Sequence, residues 1–182
     1  ALEAATIIGD YLRSFKQTKR GLGTIRQDLN VSITGGARVE VKGTQNLKLI
    51  PEILKDEMRR QKIHLSIIDE LADRGVGIVS SPIYDVTPIF KGTESAVVKE
   101  NMGTKGAAVL AIKLSKFVGV LGHETQENHR FASEISDRNK KHFPMIKGLF
   151  HSDELPKYGI TIDEVESVKT SLGTNDEDGF IL

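Results

Sequence analysis

Two short segments near the start of the chain alternate apolar and polar side chains, and the glycine-rich sequence Thr34–Ala37 separates them. In residues 24–33 the apolar side chains fall on one face of an extended strand, and Val39 and Val41 repeat the pattern in residues 38–43. A period of two residues is typical of a strand that buries one face. A short glycine turn between two such strands is typical of a hairpin. The pattern therefore predicts an antiparallel hairpin with one apolar face and one polar face.

The length of the connecting loop decides which residues of the hairpin face each other. A two-residue loop would pair Val31 with Glu40 and mix apolar with polar side chains. A three-residue loop, residues 35–37, pairs Val31 with Val41 and keeps the two faces separate. We therefore predict the three-residue loop. On the polar face this loop places Ser32 opposite Glu40 and Asn30 opposite Lys42.

The polar face of the predicted hairpin combines carboxylates with a lysine. Asp28 and Glu40 supply the carboxylates, and Lys42 supplies the cation. Two carboxylates held close together attract a hard cation, which keeps several waters and also contacts substrate phosphates. A lysine beside them balances phosphate charge. Strands without a catalytic role also carry polar faces, so a plain solvated strand surface is the alternative. The other polar members of this face are Arg26, Asn30, Ser32 and Arg38.

Helical spacing of apolar residues predicts one helix over Leu2–Leu12 and a longer one over Leu49–Ala72. Further along, Thr161 and Glu164 have the spacing of a capping box at the start of a helix that ends at Leu172. The remaining predicted elements are a helix at residues 127–140 and strands at residues 86–90, 107–112, 117–121 and 145–150 and near Phe180. This mixture predicts an α+β fold, in which an antiparallel hairpin and a long helix precede a small α+β domain with an antiparallel sheet.

A polar stretch with two prolines, Ser80–Pro88, predicts a boundary between a domain at residues 1–84 and a second domain at residues 85–182. The two parts differ in charge. The first part has 13 Lys and Arg against 10 Asp and Glu, and the second has 12 against 15, so their net charges are +3 and −3.

The composition excludes several classes of protein. The absence of cysteine excludes a disulfide framework and thiolate metal sites, and it fits a reducing compartment. No run of residues approaches the roughly 18 apolar residues that a membrane span needs, so we expect no membrane partner and a cytoplasmic location. The chain begins at Ala1, inside a predicted helix, and ends in an apolar run. We therefore expect it to be a piece of a longer protein.

Two further motifs have a local structural explanation. The loop Gly21–Gly23 precedes a strand and does not open a helix, so a plain turn is favoured over a phosphate-binding loop. His151, Ser152 and Asp153 are adjacent on an extended segment, where neighbouring side chains point to opposite faces. They therefore cannot easily align as a catalytic triad, and we expect Ser152 or Asp153 to cap the local backbone.

Four motifs carry a resemblance to a known family. Gly21–Ile33, Arg38–Gly43 and Glu57–Gln61 resemble the catalytic cradle domain of the tRNA-dependent amidotransferases. Leu149–Ile160 is similar to a module that occurs in the archaeal E subunits and as an insertion in bacterial aspartyl-tRNA synthetase, and that the bacterial B subunits lack. The combination resembles the archaeal E subunits of the glutamyl-tRNA(Gln) amidotransferases over essentially the whole chain. A piece of aspartyl-tRNA synthetase is disfavoured, because residues 1–62 match no part of that enzyme.

The resemblance implies that residues 1–84 are the C-terminal part of a cradle domain and that residues 85–182 are the aspartyl-tRNA synthetase-like insertion domain. It also implies a ligase that converts Glu-tRNA(Gln) to Gln-tRNA(Gln). In such enzymes ATP and Mg²⁺ serve to phosphorylate the glutamyl carboxylate, and ammonia from an asparaginase-like glutaminase subunit then displaces the phosphate.

The resemblance also assigns roles to the polar face of the hairpin. Asp28 and Glu40 are expected to be direct or water-mediated metal ligands, and together with Lys42, a phosphate or carboxylate contact, they are the expected catalytic residues. The expected substrate-binding residues are Arg26, Asn30 and Ser32. In the family, further metal ligands come from an N-terminal part of the cradle, so we expect this segment alone to be inactive. The alternative is a non-catalytic module that binds tRNA or another subunit of the same complex.

Overall fold

A computed structural model describes residues 1–182, and it confirms the predicted α+β class with a long helix and small antiparallel sheets. The chain divides into two compact units, Ala1–Ser66 and Ile67–Leu182. The domain boundary after residue 84 stays a prediction. None of the helices combines the length and the apolar composition that crossing a membrane requires.

The first unit packs its hairpin on helices. Its elements are α1 (Leu2–Ser14), β1 (Gln27–Val31), β2 (Val39–Thr44), a 3₁₀ turn (Leu47–Leu49) and α2 (Ile50–Asp73), whose last residues belong to the second unit. Leu29 on the apolar face of the hairpin is buried with Ala5 of α1 and Ile50 of α2. Val41 packs against the edge of this core. Burial of these side chains fixes which face of the hairpin points outward.

The register of the hairpin differs from the predicted one by two residues. Val31 pairs with Val39, and Asn30 pairs with Glu40. The predicted three-residue loop is therefore wrong, because residues 32–38 all lie between the two strands. A shift of two residues keeps every side chain on its predicted face. The polar face is consequently preserved, although its cross-strand partners change.

The second unit is built around a three-stranded antiparallel sheet. Its elements are β3 (Ile83–Asp85), a 3₁₀ turn (Thr87–Phe90), α3 (Ala96–Met102), β4 (Leu110–Leu114), β5 (Glu124–Gln126), β6 (His129–Arg130), α4 (Phe131–His142), α5 (Ile162–Leu172) and β7 (Gly179–Ile181). The strand order is β3-β4-β7, and β5 and β6 form a separate hairpin. Phe180 of β7 and Val168 of α5 are fully buried in the core between sheet and helix.

Three predicted strands of this unit are wrong. Within residues 86–90, Thr87–Phe90 form a 3₁₀ turn in which Pro88 offers no backbone N–H. Residues 117–121 form a turn that contains Gly119 at φ +80°, and residues 145–150 form no strand. The helix predicted from residue 127 begins at Phe131, because the short β5–β6 hairpin precedes it.

The strand near Phe180 and the capping box are confirmed. The Glu164 backbone N–H donates to Thr161 Oγ1 over 3.2 Å, and the Thr161 N–H donates to Glu164 Oε2 over 2.8 Å. These two bonds satisfy backbone donors that the first turn of α5 would otherwise leave unpaired.

Candidate functional site

Four polar side chains stand side by side on the outward face of the β1–β2 hairpin. Asp28 and Asn30 come from β1, and Glu40 and Lys42 come from β2. All four are exposed, whereas Leu29 and Val31, which alternate with Asp28 and Asn30 along β1, are buried. Because Asn30 and Glu40 are direct partners in the register, Asp28 and Lys42 lie one step further along the same face. We call these four residues the hairpin face.

A β-bulge shapes one end of the hairpin face. Between the pairs Leu29–Val41 and Gln27–Thr44, the single residue Asp28 opposes both Lys42 and Gly43. Gly43 has φ +74°, a conformation that glycine adopts without steric cost. Its backbone N–H donates a 2.8 Å hydrogen bond to Asp28 Oδ1. The bulge therefore orients the Asp28 carboxylate through the main chain of the opposite strand.

Lys42 connects the two carboxylates. Its Nζ lies 2.9 Å from Glu40 Oε2 and 4.0 Å from Asp28 Oδ2. The exposed fractions of the three side chains are 71% for Lys42, 48% for Asp28 and 44% for Glu40. The hydrogen bond and the negative charge of Glu40 raise the pKa of Lys42 above its usual value. A lysine is a cation at neutral pH even at its usual pKa, and the exposure of the Lys42 side chain makes it accessible to an anion from solvent.

The other predicted site residues flank this face. Arg26 directly precedes β1, and its side chain lies beside Gly43, within 4 Å of the position that a β-carbon would occupy there. Ser32 directly follows β1 and is exposed, but it is not paired with Glu40 as predicted. Arg38 directly precedes β2 and is exposed. The structure thus brings Asp28, Glu40 and Lys42 together and places Arg26 and Ser32 at opposite ends of β1.

The donor atoms of the hairpin face suit only a partly hydrated cation. No group of three or more His, Cys, Asp or Glu side chains in the structure converges as a set of metal ligands. The two carboxylates, Asp28 and Glu40, are exposed oxygen donors, and Mg²⁺ is commonly held by one or two carboxylates together with waters and substrate phosphates. The residues therefore fit a magnesium ion that shares its coordination with waters and a phosphate.

A buried polar cluster on α2 lies behind the end of β1, and the sequence prediction of site residues did not include it. As whole residues, Gln61 is 4% exposed and Glu57 is 9% exposed. Gln61 Nε2 donates to Glu57 Oε1 over 2.8 Å, and Arg60 Nε donates to Glu57 Oε2 over 2.8 Å. Burial favours a higher pKa for the Glu57 carboxyl, but the hydrogen bonds from Arg60 and Gln61 outweigh it and hold the pKa below its usual range. The available signal was the motif Glu57–Gln61, one of the four that carry the family resemblance.

The loop at Gly21 forms the predicted turn. The predicted local capping by Ser152 or Asp153 is wrong, because both side chains accept from backbone groups 28 to 34 residues away in the sequence. The Thr24 N–H donates to the Gly21 carbonyl oxygen over 3.4 Å, which closes a turn. Asp153 accepts 2.9 Å hydrogen bonds from the backbone N–H groups of Gly119 and Gly122. Ser152 Oγ accepts a 3.1 Å hydrogen bond from the Phe180 N–H. Both carboxylate oxygens of Asp153 and the hydroxyl of Ser152 are thus occupied by main-chain donors.

Several known proteins are similar to this chain over almost its whole length. A family model described as the GatB/GatE catalytic domain matches residues 1–154. The chain is 53% identical over 180 residues to the E subunit of the glutamyl-tRNA(Gln) amidotransferase from Pyrococcus furiosus, which is 98% of this chain and 28% of that protein. It is 48% identical over 187 residues to the protein of the same name from Sulfolobus acidocaldarius, with 100% of this chain and 29% of that protein covered. It is 46% identical over 182 residues to the protein of the same name from Methanocaldococcus jannaschii, with 100% of this chain and 29% of that protein covered. The chain therefore spans less than a third of the length of these relatives.

Proposed function

The chain belongs to the GatB/GatE catalytic-domain family, and from this we propose that its hairpin face forms part of the transamidation centre of a glutamyl-tRNA(Gln) amidotransferase. The proposed enzyme is an ATP-dependent carbon–nitrogen ligase that converts Glu-tRNA(Gln) to Gln-tRNA(Gln). The observation that carries the proposal is the exposed, bulge-oriented cluster of Asp28, Glu40 and Lys42 within a segment that matches the E subunits over 98% of its length.

The proposed reaction has two steps. In the first, a carboxylate oxygen of the tRNA-borne glutamate attacks the γ-phosphorus of ATP, a new P–O bond forms, and the bond to the departing ADP breaks. In the second, ammonia attacks the carbonyl carbon of the acyl phosphate, the C–N bond forms, and the C–O bond to phosphate breaks. The nitrogen then loses a proton, which leaves the amide and inorganic phosphate. Neither step needs a protein nucleophile, so positioning and charge stabilisation are the main tasks of the protein.

The hairpin face has groups for these tasks. Asp28 and Glu40 would hold Mg²⁺ through one or both carboxylates. The bound ion supplies positive charge to the oxygens of the transferring phosphoryl group. Lys42, which is protonated at neutral pH as an ordinary lysine is, would contact a phosphate or the substrate carboxylate as a point charge. We assign substrate positioning to Arg26, Asn30 and Ser32, which lie along β1 and at its two ends.

The proposed partners are those that the resemblance to the amidotransferase family implies. Glu-tRNA(Gln) is the macromolecular substrate, and an asparaginase-like glutaminase subunit is the source of ammonia. Because a free ammonia molecule is protonated in water at neutral pH, delivery from a bound partner keeps the nucleophile neutral. We place the assembled enzyme in the cytoplasm, where charged tRNA is used.

Charge removal on the hairpin face tests the catalytic role. Glu40→Gln and Asp28→Asn are introduced into a full-length E-type subunit that carries this sequence, and the subunit is assembled with its glutaminase partner. Conversion of Glu-tRNA(Gln) should fall roughly 100-fold or more for each variant, because each removes one of the two negative charges that are proposed to hold Mg²⁺. The matched control is Asp10→Asn, which removes an exposed carboxylate from α1.

Binding of tRNA separates the catalytic proposal from the alternative of a non-catalytic binding module. Both hairpin variants should bind tRNA within a few-fold of the unmodified subunit at the same salt concentration, since removal of a negative charge does not weaken phosphate contacts. Undiminished conversion in both variants would remove the catalytic role from the hairpin face. Full conversion at saturating tRNA together with weakened tRNA binding would favour the binding module.

A further inference from the structure

Gln61 contacts the backbone on both sides of Ser32. Its Nε2 donates to the carbonyl oxygen of Val31 over 3.2 Å, and its Oε1 accepts from the backbone N–H of Ile33 over 3.3 Å. Ser32 itself is exposed. One buried amide side chain of α2 therefore holds the residue before and the residue after an exposed hydroxyl that lies at the end of β1.

The turn after β1 also depends on this contact. The backbone N–H of Gly36 donates to the Ile33 carbonyl oxygen over 2.9 Å. A β-carbon at Gly36 would overlap with Gln61 Oε1 and would lie 2.9 Å from Ile33 Cγ1. The main chain at Gly36 thus lies directly against the Gln61 amide. Gln61 occupies the place at which the β1–β2 connection leaves the strand.

Gln61 is in turn held by charged neighbours. Its Nε2 also donates to Glu57 Oε1 over 2.8 Å. Arg60 holds the same carboxylate through two hydrogen bonds, of 2.8 Å to Oε2 and 3.1 Å to Oε1. Arg60 has an exposed side-chain fraction of 19% and Glu57 one of 10%. With the carboxylate fixed, the Gln61 amide has one orientation in which all three of its partners are satisfied.

We propose that Gln61, held by Glu57 and Arg60, is a positioning residue that sets the end of β1 and so the placement of Asn30 and Ser32 on the hairpin face. The proposal rests on the proposed function of that face. A buried polar cluster of this kind is seldom the most stabilising choice, because apolar side chains of similar volume fill the same space without a desolvation cost. Its specific contribution is geometric, since it binds Val31 and Ile33 at fixed distances. Small displacements of positioning groups are sufficient to cost an enzyme a large part of its rate.

The first test compares activity in a variant of the buried cluster and in a control variant that lowers stability elsewhere in the first unit. Gln61→Leu removes both backbone contacts and retains most of the side-chain volume. Ile50→Val is the control, because Ile50 is fully buried in the hairpin core and this change lowers stability without touching the cluster. In the assembled full-length enzyme, Gln61→Leu should lower kcat/KM for amidation of Glu-tRNA(Gln) roughly 10- to 100-fold. Ile50→Val should stay within about two-fold of the unmodified enzyme.

A second measurement follows the hydrogen bond from the Ile33 N–H to Gln61 directly. In the full-length subunit, amide hydrogen exchange of Ile33 should accelerate roughly ten-fold or more in Gln61→Leu, because the only hydrogen-bond acceptor of its N–H in the structure is lost. Glu57→Gln keeps an acceptor for Gln61 but weakens the hold of Arg60. This variant should therefore give intermediate activity and intermediate exchange, and it replaces Gln61→Leu if the latter fails to fold.

The outcomes separate this proposal from the proposed function. If Gln61→Leu and Glu57→Gln are as active as Ile50→Val, or if Ile33 exchange is unchanged, the positioning role is overturned. If Glu40→Gln is inactive in that case, only the positioning role of Gln61 is wrong, and the proposed function of the hairpin face is still supported. If Glu40→Gln and Asp28→Asn are fully active, the proposed function fails, and the positioning role that rests on it fails with it.

Discussion

Asp28 Oδ1 accepts a 2.8 Å hydrogen bond from the backbone N–H of Gly43 in the bulge of β2. The carboxylate that we propose as a metal ligand is therefore oriented by the main chain of the neighbouring strand. Its second oxygen lies 4.0 Å from Lys42 Nζ. The geometry of one end of the hairpin face thus depends on the backbone conformation of Gly43, whose φ is +74°. Residues with a β-carbon rarely adopt this conformation.

Substitution of Gly43 by alanine should destabilise the chain by about 1–2 kcal/mol, since an L-residue with a β-carbon is strained at positive φ. The midpoint of thermal unfolding, followed by circular dichroism, should fall by about 2–8 °C. The control is Gly77→Ala, because Gly77 has no positive φ and no atom within 4 Å of the added carbon. Equal midpoints for the two variants would show that the bulge tolerates alanine.

The contact between Gly36 and Gln61 predicts a measurable coupling. Gly36→Ala should cost about 1–3 kcal/mol, because its β-carbon overlaps with a buried, hydrogen-bonded side chain. In a Gln61→Ala background the same change should cost less, since the overlap with Gln61 Oε1 is gone and only Ile33 Cγ1, 2.9 Å from the added carbon, stays close. A double-mutant cycle in urea measures this coupling, and we expect an interaction energy of about 1 kcal/mol or more. Additive effects within about 0.5 kcal/mol would mean that the two residues do not interact.

The hydrogen bond between Ile33 and Gln61 explains why the hairpin register could not be predicted from the sequence. The predicted three-residue loop needs Ile33 to pair with Val39. In the structure, the Ile33 N–H donates to Gln61, which lies 28 residues further along, and Val39 pairs with Val31 instead. The alternation of side chains correctly predicted the two faces of the hairpin, because alternation is a local property. The register depends on a tertiary contact that no local pattern contains.

The second unit shows the same division between local and tertiary information. The capping box of Thr161 and Glu164 involves residues three positions apart, and it was predictable from their identities. The strand predicted at residues 117–121 is wrong, and Asp153 holds the turn found there by accepting from Gly119 and Gly122. Nothing in the local sequence indicates that a carboxylate more than 30 residues away binds these amides.

Removal of the capping side chain at the start of α5 should have a modest effect. Thr161→Ala should destabilise the chain by about 1 kcal/mol, because the Glu164 backbone N–H loses its acceptor. The midpoint of thermal unfolding should fall by about 2–4 °C. Thr161→Ser keeps the hydroxyl acceptor and is the matched control, which should retain most of the stability. A Thr161→Ser variant as unstable as Thr161→Ala would mean that the hydroxyl is not what stabilises the helix.

Asp178 should carry a pH-dependent part of the stability. Its side chain is 3% exposed, its Oδ2 lies 2.8 Å from Lys113 Nζ, and its Oδ1 accepts a 3.0 Å hydrogen bond from the Lys116 N–H. Burial favours a higher pKa for this carboxyl, but the hydrogen bonds from Lys113 and from the Asn175 and Lys116 backbones outweigh it and hold the pKa below its usual range. The folded state therefore favours the ionised form more than the unfolded state does.

The sign of the pH dependence follows from this lowered pKa. The stabilisation is fully present above the unfolded pKa of Asp, about 3.9, and it is lost as the pH falls through the lower folded value. At pH 7, Asp178→Asn should lower the free energy of unfolding by about 2–3 kcal/mol, and the difference from the unmodified chain should shrink below about pH 4. Urea unfolding at a series of pH values measures both effects. Asp176→Asn, at an exposed neighbouring position, should change stability by less than about 0.5 kcal/mol. A difference between Asp178→Asn and the unmodified chain that stays constant from pH 7 to pH 3 would contradict the assignment of a lowered pKa to Asp178.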